Sequence, residues 1–226
     1  MTSSPTGTAA AAPAPGLRGR KRERTRRAIS DAAFRLFAEE GFEAVTLTRI
    51  AAAAEVAPAT VFTHFASKEE IFFSRREQFR EGVTAAVADK ATGAEVLDGL
   101  RRFYADACDL VIAAESVDNA RVFARVLLES PALGRSYLPI VQERRRLLAE
   151  RLAERPGCRG ERAELELFAG LVMAAGEAVF GAMHRALSEG EPADVVRAAV
   201  GAALARGFDR LARAYEGSDV LDAEPA

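Results

Sequence analysis

The sequence predicts an all-α protein of about nine helices, with a three-helix helix-turn-helix unit at the N-terminal end and a larger helical unit behind it. Three observations predict it. Apolar residues recur at three- and four-residue spacing through most of the chain, and no run of alternating β-branched residues suggests a sheet. Two short helical patterns near the N-terminus are also separated by only a brief turn.

The elements follow in order. From Thr25 the apolar residues Ile29, Ala32, Ala33, Leu36 and Phe37 form one helical face, Gly41 ends the helix, and Phe42 packs back on it. Thr46 is placed to cap a second helix, Leu47 to Ala54, whose inner face is small: Leu47, Ile50, Ala51 and Ala54. Glu55-Val56-Ala57 makes the turn, and Pro58, tolerated in a first helical turn, opens a third helix through His64 with Val61 and Phe65 inward. Ser67 and Glu70 read as a capping box for a fourth helix that runs through Ile71, Phe72, Phe79 and Val83. Further helices are predicted over Ala94 to Ala114, Val117 to Glu129, Ala132 to Glu154, Arg162 to Leu187 and Pro192 to Tyr215.

The chain has 226 residues, 49% hydrophobic and 28% charged, a globular composition. The net charge of -2 hides an asymmetry: residues 17–80 carry 13 Lys/Arg against 9 Asp/Glu, and the remainder 18 against 24. A basic N-terminal end points to a polyanionic partner. Residues 1–16, rich in Ala, Pro, Thr and Ser, read as a disordered tail without the basic segment of a secretory signal, and residues 217–226 as a second one. Between them the expected units are 17–66, the basic arm and helix-turn-helix, and 67–216, the helical remainder. No uninterrupted apolar run reaches the roughly 18 residues a membrane span needs, so no membrane partner is expected and the location is cytoplasmic. Cys108 and Cys158 stand apart, with no His or Cys at ligand spacing, and neither they nor His64 and His184 make a metal site; no cofactor is expected.

The second helix of a helix-turn-helix can enter the major groove, where base edges are read by thin polar side chains and phosphates are held by flanking groups. Thr60, Thr63 and His64 suit the first task. Lys68, the Ser67 cap and the arm Arg18, Arg20, Lys21, Arg22, Arg24, Arg26 and Arg27 suit the second.

On these residues the chain resembles the TetR family of bacterial transcriptional regulators. The resemblance covers TRRAISDAAFRLFAEEGFEAVTLTRIAAAAEVAPATVFTHFASKEEIF, about 48 residues, through the F-x-x-x-G-[FY], T-[LIV]-x-x-[IL]-A, V-x-x-x-T-[LV]-[YF]-x-[HY]-F and S-K-E-E motifs. It implies phosphate contacts from Thr46, Thr60, Phe62, His64 and Lys68, and base-facing roles for Thr48, Pro58, Ala59 and Thr63. Three positions depart from the usual pattern. Phe62 replaces the commoner Tyr, Ala57 stands where Ser often caps the recognition helix, and Glu55 holds a turn position often given to Gly.

The resemblance implies only architecture beyond Phe79: a helical ligand-binding and dimerisation domain. Leu165, Phe168, Ala169, Val172, Ala175, Gly176, Val179, Phe180 and Met183, with Val196, Ala199, Val200, Ala203, Leu204, Gly207, Phe208 and Leu211, form stripes too wide for one-sided burial, so both helices are expected to pair with their copies in a homodimer. Gly170, Gly176, Gly181, Gly201 and Gly207 are expected to permit close helix approach. An effector pocket is expected from Phe103, Tyr104, Phe123, Leu127, Tyr137, Phe168, Met173 and Met183, with His184 and the tyrosines orienting a small, mostly apolar ligand. The function expected is a dimeric repressor on a pseudo-palindromic double-stranded DNA operator, released by its effector and not an enzyme. The alternatives are a sequence-tolerant architectural DNA binder and a helical enzyme with a DNA-binding appendage.

Overall fold

The computed structural model describes residues 17–74, 77–113 and 117–224. The expected tail 1–16 and residues 225–226 lie outside them, as does the side chain of Phe79. Ten helices are formed among the described residues: α1 (Leu17–Glu40), α2 (Leu47–Ala53), α3 (Pro58–His64), α4 (Lys68–Phe73), α5 (Glu77–Ala88), α6 (Gly93–Ile112), α7 (Val117–Glu129), α8 (Pro131–Ala153), α9 (Arg162–Ser188) and α10 (Ala193–Ala214). Two boundaries differ from expectation. The basic arm is the first three turns of α1, because Arg, Lys and Glu are good helix formers and continue its ladder. The expected fourth helix corresponds to α4 and α5, on either side of residues 75–76, which lie outside the described residues.

The N-terminal caps are where the sequence places them. Thr46 accepts from the Arg49 N–H at 3.2 Å, and Ser67 accepts from the Glu70 N–H at 3.1 Å. Glu70 reaches one residue further back than a standard box, taking the Ala66 N–H at 2.7 Å. Gly41 ends α1 at φ 79°, and Phe42 returns to put its ring 4.9 Å from Phe37.

Two cores result. Ile29, Ala33, Leu36 and Phe37 of α1, Ile50 and Ala51 of α2, Val61 and Phe65 at α3, and Ile71, Phe72 and Phe73 of α4 pack together with Val126 of α7 and Leu133 of α8. The packing therefore does not divide at residue 66. The fourth helix belongs to the first core, which reaches across to α7 and α8. The second core lies within α5–α10 around α9, and all nine α9 residues expected at a dimer interface are buried in it. So are Val196, Val200, Ala203, Leu204, Phe208 and Leu211 of α10. Both stripes face the chain's own interior, since α6, α7, α8 and α10 surround α9. Gly176 and Gly207 have internal causes too: a Cβ at Gly176 would overlap the Tyr104 phenol, and one at Gly207 would lie 3.1 Å from the Ala175 Cβ. α9 is long and apolar enough to cross a membrane, but half of its most apolar stretch is buried within this core.

The expected C-terminal tail is instead a strap over the far end. Leu221 is buried. Arg155 donates to the Leu221 and Lys90 carbonyls at 2.7 and 2.9 Å, and Asp222 accepts from the Gly93 N–H at 2.9 Å. Val220 and Leu221 pack it down, the Arg155 guanidinium collects its Leu221 carbonyl, and the Ala223 and Glu224 N–H groups donate to the Ala91 and Pro156 carbonyls at 2.8 and 2.7 Å.

In the α2–α3 turn Glu55 has φ 55°, the left-handed region that L side chains resist. Its side chain is exposed. Glu55→Gly is therefore expected to stabilise the fold by about 1 kcal/mol, read as a higher urea midpoint with unchanged slope.

Candidate nucleic-acid interface

α3 is seven residues long and divides sharply by face. Val61 and the following Phe65 are buried, while Pro58, Ala59, Phe62 and Thr63 are exposed and Thr60 is half-exposed. Phe62 is 59% exposed, a large apolar ring in water that the fold of the chain alone does not explain. Thr46 and Thr48 of the neighbouring helix are also exposed. Apart from the Phe62 ring, the outward face of α3 is small, uncharged and thin, a surface suited to base reading in a major groove. Thr63 donates its hydroxyl proton to the Ala59 carbonyl at 2.9 Å, leaving the oxygen as an acceptor toward the groove. Ala57 makes no side-chain cap, as its methyl dictates.

The basic end of α1 lies beside the last turn of α3. Arg26 donates to the His64 carbonyl at 2.8 Å and covers the Phe65 ring at 4.2 Å. Burial first, then the charges of Arg22 and Arg26, hold the His64 imidazole below its ordinary value, with Glu23 opposing. His64 is therefore largely neutral near pH 7 in the free protein. A phosphate placed against it would raise its proton affinity, and binding would then take up a proton. DNA affinity is expected to be greatest below the free-protein pKa and to fall as pH rises through the window up to the bound-state value. Fluorescence anisotropy between pH 5 and 8 checks this, with His64→Gln expected to flatten the profile.

Lys68 is not the open phosphate contact the sequence suggested. Its ammonium donates to the carbonyls of Phe42, Val45 and Glu43 at 2.8, 3.2 and 3.3 Å, and lies 4.4 Å from the Phe42 ring. The α1–α2 loop turns three carbonyls toward one point, and a cation there is worth more inside the fold than on its surface. Arg49 is likewise spent locally, donating through Nε and a terminal nitrogen to Glu40 at 3.2 and 2.7 Å. The cations exposed on this side are Arg18, Arg20, Lys21, Arg22, Arg24 and Arg27.

The expected effector residues fall into two groups. Tyr104, Phe168, Met173 and Met183 are core of the second unit, with Phe103 half-buried against them. Phe123, Leu127 and Tyr137 pack on the first core. His184 joins the groups, its ring 5.8 Å from Phe123 and 6.2 Å from Phe180. Burial pushes the Tyr104 phenol well above its ordinary range. None of the nine lines the groove of about 610 Å³ between α1, α4 and α8, whose floor is Arg144, a residue the sequence reading missed. The signal was present: a cation inside the inward stripe Leu133, Tyr137, Val141, Leu148 and Leu152.

A short exposed helix braced at a tight turn, with a basic helix end at its side, defines the helix-turn-helix class of DNA-binding domains. Residues 29–74 match the family described as bacterial regulatory proteins, tetR family, so this segment is a DNA-binding region of the TetR type. The chain is 35% identical to the HTH-type transcriptional regulator TcmR of Streptomyces glaucescens over 147 residues, 63% of this chain and 65% of that protein. The match thus spans just under two thirds of that relative's length. Among solved structures, native NalD, the secondary repressor of the MexAB-OprM multidrug efflux pump in Pseudomonas aeruginosa, superposes with TM-score 0.55 at 21% identity, covering 82% of this chain and 97% of that one. FadR from Bacillus subtilis in complex with stearoyl-CoA gives 0.52 at 21% identity, covering 79% and 95%. These two likenesses show the fold.

Proposed function

We propose that the protein is a dimeric transcriptional regulator of the cytoplasm that reads a pseudo-palindromic operator through α3 and leaves it when a small, mostly apolar effector binds in the helical unit. The outward face of α3 carries this reading: uncharged side chains and a bare Phe62 ring point away from a fold that has no use for them, beside a row of exposed cations. The shared first core supports the coupling. Phe72 of α4 stacks on Phe123 of α7 at 4.4 Å, so a displacement of α7 or α8 is felt under the recognition helix.

The pairing surface is the outer side of α9 and α10, not their buried stripes. Leu167, Leu171, Ala174 and Ala178 on α9, with Val195, Ala198, Gly201 and Ala202 on α10, are exposed and mostly small, which lets two copies of a helix pair cross closely. Sedimentation velocity at micromolar concentration is expected to give a dimer that binds one operator duplex as a unit. A monomer binding the same duplex with full affinity would sink the dimeric reading.

A further inference from the structure

The inward stripe of α8 runs Leu133, Tyr137, Val141, Arg144, Leu148 and Leu152, and at its centre a guanidinium replaces the apolar side chain that the spacing calls for. Arg144 is 5% exposed. Burial lowers its pKa, while the nearby Tyr137 and Tyr104 phenols oppose that shift and Tyr137 also accepts a hydrogen bond from it. Burying a charge is costly, and a leucine or methionine would fill the position without that cost. A fold that breaks its own pattern in this way marks a site.

The site is a groove of about 610 Å³ between α1, α4 and α8, a volume in the range of small-molecule pockets. Phe73, Pro139 and Ile140 supply apolar wall, Ser136 a hydroxyl, Arg144 the floor and Arg26 one end. Three carboxylates also line it, and two are engaged: Glu70 by the Ala66 N–H at 2.7 Å, and Glu143 by Arg146 at 2.9 Å. With Glu69 they line the groove beside the Arg26 and Arg144 guanidinium groups, a balance that disfavours a polyanion and limits an anionic ligand to a single charge near Arg144.

We propose that this groove binds an amphipathic small molecule with an apolar or aromatic body and a single anionic group, the anion seated on Arg144. None of the nine residues expected from the sequence to form a pocket lines it, although one of them, Tyr137, accepts a hydrogen bond from Arg144 and stacks on Phe73. Its occupant lies one side chain from the recognition helix, because Arg26 also holds the His64 carbonyl.

The test is fluorescence titration of the full chain, without DNA, using 8-anilinonaphthalene-1-sulfonate and its neutral counterpart N-phenyl-1-naphthylamine, which lacks only the sulfonate. The sulfonate is expected to bind at a single site per chain, roughly tenfold or more tighter than the neutral probe. Arg144→Met should remove that preference and leave the neutral probe's affinity within about twofold, the scale of a lost charge-assisted bond with the wall intact. Ile140→Trp, which fills the groove and keeps Arg144, should weaken both probes. Equal binding of the two probes by the wild type, or sulfonate binding unchanged in either variant, would overturn the proposal. With no DNA in the assay, its failure leaves the operator-reading function untouched.

Discussion

Replacing Ala59 by Glu is expected to lower operator affinity by on the order of a hundredfold while the melting temperature stays where it is. Ala59 is exposed in the first turn of α3, so its methyl holds nothing together and the larger side chain has room. A carboxylate near a helix N-terminus is tolerated or slightly stabilising. On DNA the same carboxylate enters a groove lined with phosphates, and like charges at close range cost several kcal/mol, which is the source of the hundredfold. Anisotropy titration at fixed salt reads the affinity, and a thermal melt shows that the fold is intact. An affinity within a few-fold of wild type would mean that α3 does not enter the groove.

Lys68→Met is expected to do the reverse, costing about 2 kcal/mol of stability while leaving the electrostatic part of DNA binding unchanged. Methionine keeps most of the aliphatic stem against Phe42 and removes the ammonium that collects the Phe42, Glu43 and Val45 carbonyls. Those carbonyls are partly open to water, so the loss is less than three charge-assisted bonds would suggest. Urea unfolding measures it. The decisive control is the slope of log K against log salt, which drops by about 0.9 when a phosphate contact is lost. Here it should not change.

The helix-turn-helix was legible because it is local. Caps, a proline at a first helical position and inward Val61 and Phe65 all lie within a few residues of the features they specify, while Glu55 stood out only against the family pattern, which often has Gly at that turn position. What escaped depends on tertiary proximity. Lys68 finds carbonyls 23 to 26 residues away, and no pattern near Ser67 says that the α1–α2 loop will point them there. The C-terminal strap turns on Val220 and Leu221, a short apolar pair in an acidic segment, and on Arg155 at a different junction. For α9 and α10 the stripes were correctly found, but periodicity cannot say whether a wide stripe meets its own chain or a copy. The surround of α6, α7 and α8 settles that it meets its own chain. Arg144 was visible as a break in the α8 pattern, although charged residues on a 23-residue helix look ordinary until its inward side is known.

The most direct measurement of the central claim is selection of bound duplexes from a random DNA pool by the full-length chain. The enriched sequences should hold two inverted half-sites whose centres lie about one helical turn, or a small multiple of it, apart, since two copies of α3 must enter successive major grooves on one side of the duplex. Thr63→Ala should change the preferred base at matching positions in both half-sites. Enrichment of a single unpaired half-site, or of no sequence at all, would contradict the account.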